Sequence, residues 1–472
     1  MLLLENCRHL ATFDDQEREL RHVDVLIDGP VVRAIGPNLR AALSLPEDTP
    51  FIDASHHLVI PGLVNVHHHM WQVLTRVMPR VQDHGLFTWL VENYKVWEAL
   101  DPNAERAAAT LAMSELLLSG CTTTSDHHYL YPVAQSVELL DAQFEVAAQL
   151  GMRLYTTRGS MTLGVDDGGL PPMTLVESID RVMEDYERVI SKFHDPSPLS
   201  MTRVALAPCA PFNAREELFR ETVRIARHHG VLLHTHLAET ADEDRYCQER
   251  FGKRPLDYVA HLGWEGPDVW FAHCVMLNDE EIRRCAETGT GVAHCPSANA
   301  RLGSGTANVP RMLEAGVRVG IGVDGSSSND CGSLMAEARV SFLMHRGKHG
   351  PDAVTARDVL RMATRGGAAI LHNDRIGRIA EGCAADIAII DLERYDFAAG
   401  GSLDPLAALV FCGLSRPVDT VIANGRIVVD HGAVCSVSEA ATVRRANEAT
   451  ASLIASAQQR HGIDFLQPAE KS

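Results

Sequence analysis

Basic residues are in deficit: 43 Lys and Arg stand against 62 Asp and Glu, a formal net charge of −19. Binding a phosphate backbone normally leaves a basic footprint, so nucleic acid is excluded as the expected partner. A neutral small substrate is not. Long apolar runs are missing as well. No uninterrupted stretch approaches the ~20 residues of a membrane span. The opening MLLLENCRHLATF places acid and polar groups where a secretory signal carries a basic start and an apolar stretch. No membrane association and a cytoplasmic location are therefore expected. Cysteine is present without organisation: the 11 are scattered and form no Cys-x-x-Cys pair. That excludes a disulfide framework and a structural zinc site, leaving reduced and mostly buried thiols. Internal repeats and low-complexity linkers are absent too.

What the chain has is a large apolar stock, 46% of 472 residues, in an alternating pattern. Residues 23–36, 385–391 and 418–429 are β-rich, punctuated by Asp28-Gly29 and Asn424-Gly425 turns. Chain ends often lie close together, so these stretches predict one small sheet-based unit. Between them, helical periodicity is expected over 103–119, 134–150, 173–192, 215–229, 279–288 and 356–371. Short apolar runs fall at 58–66, 122–126, 153–157, 204–208, 232–237, 269–273, 291–294 and 317–323. Eight such runs, most of them separated by helices, predict an α/β fold, a closed parallel (β/α)₈ TIM-like barrel. The chain divides on this reading into a composite β unit (1–58 and 380–437), a barrel (59–379) and a C-terminal helix and loose tail (438–472).

Four of these runs end in chemistry-bearing residues. PGLVNVHHH (61–69) ends a strand on histidines, and alternation puts His67 and His69 on one face with His68 on the other. VLLHTHLAE (231–239) ends on His234 and His236, with Glu239 at the start of the following loop. Alone, His234 and His236 read as satisfied core or rim histidines. VWFAHC (269–274) ends on His273, and VRVGIGVDGS (317–326) on Asp324. Together they place ionisable groups at the C-terminal ends of four barrel strands, the face where such barrels build active sites. Imidazoles plus a carboxylate suit a mononuclear Zn²⁺ or Fe²⁺ site with a position open for water. A cation there lowers the pKa of water from about 15.7 toward ~7, and a neighbouring carboxylate moves protons.

In this order and spacing, PGLVNVHHH, LHTHLAE, FAHC and GVDGS resemble the amidohydrolase superfamily, in its cytosine-deaminase and atrazine-chlorohydrolase-like branch. The resemblance covers nearly the whole chain, and the β-rich ends look like that branch's composite β-sandwich domain. It implies that His67, His69, His236 and Asp324 hold one divalent metal ion per subunit, Zn²⁺ or alternatively Fe²⁺. It implies that Glu239 shuttles protons, that His273 polarises the ring or orients the nucleophile, and that Asp324 also accepts a proton from water. Binuclear members carry a bridging modified lysine on a middle strand. Residues 204–211 contain no lysine, which fits a single metal. A homodimer or larger assembly is a further implication.

Longer strings, HHHMWQVLTR, LFTWLVENYKVW, GCTTTSDHHYLYP and RGSMTLGVDDGGLPP, resemble the 8-oxoguanine deaminases and relatives acting on isocytosine, isoxanthopterin and hydroxyatrazine. The implied reaction is hydrolytic removal of an amino group from a ring carbon, 8-oxoguanine giving urate and ammonia. Gln72, with an amide donor and acceptor, is a candidate reader of a lactam edge, or else a capping or solvent-facing residue. Trp89 is either a stacking wall or a core tryptophan. Arg158 and Cys209, at strand ends, are candidate contacts to an exocyclic oxygen, or a rim ion pair and a buried thiol respectively. Asp126-His127-His128 reads as either backing the metal ligands or substrate-proximal, and 293–299 as a structural loop at the pocket mouth. Isocytosine, isoxanthopterin or guanine deamination, s-triazine amino- or chlorohydrolysis, and an inactive metal-binding scaffold stay open as alternatives.

Overall fold

The computed structural model describes residues 1–135, 138–413 and 416–469. Each of the eight apolar runs supplies a barrel strand: β1 (Leu63–Asn65), β2 (Cys121–Thr124), β3 (Arg153–Ser160), β4 (Thr202–Pro208), β5 (Leu232–Leu237), β6 (Val269–His273), β7 (Gly291–His294) and β8 (Arg318–Ile321). They lie in that order along one sheet, every neighbour parallel. The strands are buried on both faces, which is why they read as continuous apolar runs without alternation. Between β1 and β8 the seam closes through Val66, whose N–H donates to the Ile321 carbonyl at 3.2 Å. Beyond it, His68–His69 pairs in parallel with Asp324–Gly325. This closure brings the first and last strands' ends together.

One run behaves differently from expectation. Residues 58–66 are not a single barrel strand, because His57–Pro61 belongs to another sheet, antiparallel to Ile387–Asp391. The chain changes sheets at Gly62, whose N–H donates to the Asp386 carbonyl at 2.8 Å. A Cβ at Gly62 would collide with the Thr122 side chain, so the crossing is open only to glycine. That second sheet interleaves both chain ends, running Ala433–Val434, Arg426–Asp430, Thr420–Ala423, Ile387–Asp391, His57–Pro61, His9–Ala11, Glu19–Leu20. A four-stranded sheet of Val31–Gly36, Val23–Asp28, Leu2–Cys7 and Phe51–Asp53 adjoins it. Buried Arg153 at the start of β3 pairs with Asp386 at 3.2 Å and ties the barrel to this sheet.

Helices alternate with the strands on the outside. α1 (Leu86–Trp97) and α2 (Pro102–Leu118) follow β1, and α3 (Glu138–Leu150) follows β2. α4 (Ala241–Phe251) follows β5. Residues 136 and 137 of the helix expected over 134–150, and the last three of the expected tail, lie outside the described residues. The helix Leu334–His349 has no counterpart in the sequence reading. Glu337, Ser341 and His345 are buried on it beside Leu334, Met335, Ala338 and Phe342, so no clean apolar stripe marks its period. The C-terminal helix α5 (Glu439–His461) lies across α1 and α2. Its Leu453, Ile454 and Ala457 join a cluster with Trp71, Trp89, Tyr94 and Trp97. The chain beyond α5 is anchored, not loose, since Phe465 is fully buried in the same cluster, a burial worth roughly 2–3 kcal/mol. Among the described residues no helix is long and apolar enough to cross a membrane.

Candidate metal centre and active site

The histidines at the strand ends are arranged so that lone pairs, not protons, meet. His69 and His236 each donate from Nδ1 to a backbone carbonyl, of His127 at 2.8 Å and of Cys209 at 2.7 Å. A neutral ring that donates from Nδ1 carries a bare lone pair at Nε2. The two Nε2 atoms face each other 3.0 Å apart. His234 donates from Nδ1 to the Trp270 carbonyl at 2.9 Å, so its Nε2 accepts from His67 Nδ1 at 2.8 Å. His67 Nε2 is then a third bare lone pair, buried with no hydrogen-bond partner. Asp324 Oδ1 lies 3.3 Å from His69 Nε2 and 3.5 Å from His67 Nε2. Burial holds these rings neutral: His236 is pushed down to about 4, and His67 and His69 well below the ordinary value.

Three lone pairs and a carboxylate oxygen that converge without a proton form a donor set for a divalent cation, and N₃O is a common one. Backbone geometry supports the convergence. Ala238, His273 and Asp324 all have positive φ, at 52°, 74° and 59°. Non-glycine residues in that region are strained by roughly 1–3 kcal/mol, and such strain clusters at functional sites. Asp324 is pinned by the seam: its N–H donates to the His67 carbonyl at 3.0 Å, and Oδ1 accepts from Gly325 N–H at 2.7 Å.

The pocket above this centre is lined by Gln72, Trp89, Tyr129, Cys209, Asn213, Glu239, His273, Asp324 and Ser328, with Leu86, Leu90, Phe212 and Leu302 around them. Its volume is about 370 Å³ including the mouth. Gln72 and Cys209 both line it, and Gln72 Oε1 is buried without a partner among the described residues. Trp89 joins both readings, a pocket wall that is also core, with Nε1 donating to the Ser327 carbonyl at 3.3 Å. Glu239 Oε2 lies 3.4 Å from His273 Nε2, and Glu239 Oε1 accepts from the Ser304 hydroxyl at 3.4 Å. Burial raises the Glu239 carboxyl to about 7. Burial alone would lower His273, but facing Glu239 and Asp324 outweigh it and raise its pKa. His273 Nδ1 donates to Asn299 Oδ1 at 2.9 Å, which fixes the ring.

Arg158 requires correction as a substrate contact. It is fully buried away from the pocket lining, held by Asp185 at 2.5 Å and Glu177 at 2.8 Å and stacked 3.5 Å over the Tyr131 ring. A guanidinium so paired has nothing left for an exocyclic oxygen. His127 lies directly against the centre, its ring stacked on His236 with centroids 4.7 Å apart. Asn299 gives the 293–299 stretch a direct contact to His273 beyond a structural role. Tyr129, Asn213, Ser304 and Ser328 were not singled out in the sequence. Tyr129 had a signal, since strand alternation puts it on the His127 face.

His234 is a ring whose role the sequence did not reveal: it sets the tautomer of His67. Replacing it with Ala is expected to weaken metal affinity about 10–100-fold, read by competition against a chromophoric chelator. Unchanged affinity would show that His67 holds its tautomer without help.

Behind the site, Gln143 Nε2 donates to Glu105 at 2.8 Å and to Asp126 at 2.9 Å, and Asp126 accepts from the Met70 N–H at 2.7 Å. Burial raises Glu105 to about 8 and Asp126 to about 7. The folded pair therefore holds protons that the unfolded chain releases at lower pH. Its contribution to stability is full at low pH and is lost as pH rises through about 7 to 8. In Glu105→Gln the fall in melting temperature between about pH 6 and 9 is expected to be shallower than in the parent. Parallel pH profiles would refute the assignment.

The sequence and the overall fold both match known proteins. The sequence profile described as the amidohydrolase family matches residues 58–428. The chain is 43% identical over 431 residues to an 8-oxoguanine deaminase from Pseudomonas aeruginosa, covering 91% of this chain and 94% of the relative. It is 37% identical to a hydroxydechloroatrazine ethylaminohydrolase from Pseudomonas sp. (strain ADP), covering 93% and 92%. Among solved structures it superposes on zinc-complexed atrazine chlorohydrolase from Arthrobacter aurescens TC1 with a TM-score of 0.90 at 34% identity, covering 95% and 100%. This chain belongs to the amidohydrolase family.

Proposed function

We propose that the chain is a hydrolytic deaminase of a free heteroaromatic base, with 8-oxoguanine as preferred substrate and one zinc ion per subunit. The observation that carries the reading is the convergence of the His67, His69 and His236 lone pairs with Asp324, beside Glu239 and His273 at the floor of one pocket. The 43% identity to an 8-oxoguanine deaminase supports the substrate, and the zinc-complexed structural relative supports the metal.

When bound at these four residues, the cation supplies the Lewis acidity that makes water a nucleophile at neutral pH. The chain's own groups handle the protons. Asp324 takes one from the attacking water. Glu239, raised to about 7, is part-protonated at neutral pH and gives a proton to the ring nitrogen beside the amino-bearing carbon. His273, held by Asn299, donates from Nε2 to the oxygen as charge builds there. Asp324 passes its proton to the departing amine. The Glu239 carboxylate left behind takes the remaining proton of the former water as the carbonyl forms, which restores its starting state, and base and water become urate and ammonia. Gln72, with a free acceptor in the pocket, reads an N–H on the ring edge.

The test is ammonia release from 8-oxoguanine, guanine, isocytosine and isoxanthopterin, and amine release from hydroxyatrazine, by metal-replete protein. The highest kcat/KM on 8-oxoguanine is the expected result. A different winner would keep the chemistry and replace the substrate; no amine released from any of them would remove the deaminase reading.

A further inference from the structure

Glu243 is fully buried in the first turn of α4 and has no place in the chemistry described above. Its two carboxylate oxygens accept from consecutive backbone N–H groups, Oε1 from Ala238 at 3.0 Å and Oε2 from Glu239 at 2.9 Å. Helix capping does not explain this pairing. Thr240 caps α4, its hydroxyl accepting from the Glu243 N–H. A capping box would send the third-residue carboxylate back to the cap residue's own N–H. Here the carboxylate reaches one and two residues further back, onto the loop that carries Glu239. Glu243 thus braces a loop and leaves the helix end to Thr240.

That loop needs bracing. Ala238 sits at φ 52°, strained for a residue with a Cβ. The Ala238 carbonyl is held from the other side by the Met276 N–H at 2.8 Å, and the Leu237 carbonyl by Cys274 N–H at 3.1 Å. The segment that follows β6 and Glu243 therefore clamp Ala238 from both sides, and the Glu239 side chain leaves the next Cα. The Glu239 carboxyl itself has only long contacts, 3.4 Å to Ser304 and 3.4 Å to His273. Its place is thus set by its backbone more than by its own partners. Burying a carboxylate is costly unless it is well paired, and an apolar residue could fill the space without that cost. Two N–H groups aligned on one side chain are what an apolar residue cannot supply.

We propose that Glu243 is a positioning residue for proton transfer: by clamping the Ala238 and Glu239 amides it aims the Glu239 carboxyl at the substrate. The proposal rests on Glu239 being the proton carrier, as read above. Glu243→Gln keeps the shape but can accept from only one of the two amides. With metal-replete protein and the best base of the panel, it is expected to lower kcat about 10²-fold, the cost of displacing a reacting group by about 1 Å. KM and metal content stay within about twofold of the parent's, since no ligand or pocket wall moves. The decisive comparison is a cycle with Glu239→Gln. In that background, Glu243→Gln is expected to add no more than about a twofold loss, because the group it aims is already gone.

Outcomes separate the two claims. A parent that releases no amine, or a Glu239→Gln variant as active as the parent, removes the reading of Glu239 and this proposal with it. A crippled Glu239→Gln beside a Glu243→Gln of parental kcat removes the proposal alone, as does a loss that multiplies in the double variant or comes with lost metal. Glu243→Asp, a carboxylate too short to reach both amides, repeats the test if Gln does not fold. Failure of both to accumulate with metal bound would make Glu243 a fold determinant and overturn the proposal.

Discussion

Glu239→Gln is expected to lower kcat for deamination by about 10²–10⁴-fold while the protein keeps its metal and its melting temperature. The amide matches the carboxyl in size and can still face the Ser304 hydroxyl and His273, so packing is preserved. What it loses is a proton that moves. A carboxyl raised to about 7 by burial gives and accepts protons with nearly equal ease at neutral pH. An amide does neither. The loss falls on kcat, because the proton is transferred only as the ring is attacked, whereas the ground-state contacts of Gln72 and Trp89 are untouched. Steady-state kinetics with metal analysis on the same samples makes the measurement. A variant within a factor of a few of the parent would mean that another group carries the proton, and His273 would be next to test. Lost metal would mean instead that Glu239 helps hold the cation.

The sequence made some of this legible, for reasons that can be named. The eight strands are buried on both faces, and such strands read as apolar runs whatever surrounds them. His67 and His69 could be put on one face because alternation along a strand is local geometry. Asp324's meeting with them is not local: it depends on β8 closing against β1, about 255 residues away in the chain, and was reached through the expectation of a closed barrel and through the family resemblance. His234 shows the opposite limit. Its role rests on one hydrogen bond to His67 and one to a carbonyl on β6, and neither leaves a trace in its own neighbourhood. For Arg158 the sequence left an ion pair and a substrate contact both open, because nothing near it announces that Glu177 and Asp185 fold back onto it; the ion pair is what the structure holds. Asn299 and Glu243 were passed over for a related reason. Their contacts are to a ring and to backbone amides that only the folded loops bring within reach.

Stripping the divalent metal is expected to abolish turnover and also to destabilise the fold, and the second effect follows from the hydrogen-bond directions alone. With Nδ1 of His69 and of His236 donating to carbonyls, their Nε2 lone pairs face each other 3.0 Å apart. A proton could relieve that contact, but burial holds His236 down to about 4 and His69 well below the ordinary imidazole value. At neutral pH the relief must come from a cation or from movement of the strand ends. Because the unfolded chain does not preserve the site, binding energy becomes folding energy, roughly 4 kcal/mol at free metal a thousandfold above Kd. Chelated protein should therefore melt several degrees below the metal-replete form, and zinc should restore both melting temperature and ammonia release. His236→Ala supplies the control: it removes one of the facing lone pairs and a ligand together, so chelator should barely change its melting temperature. Equal melting of chelated and replete parent protein would sink the argument, since the facing nitrogens would then be held apart by something other than a metal. Restored melting without restored turnover would separate the two effects and place the loss of activity in the groups around the cation.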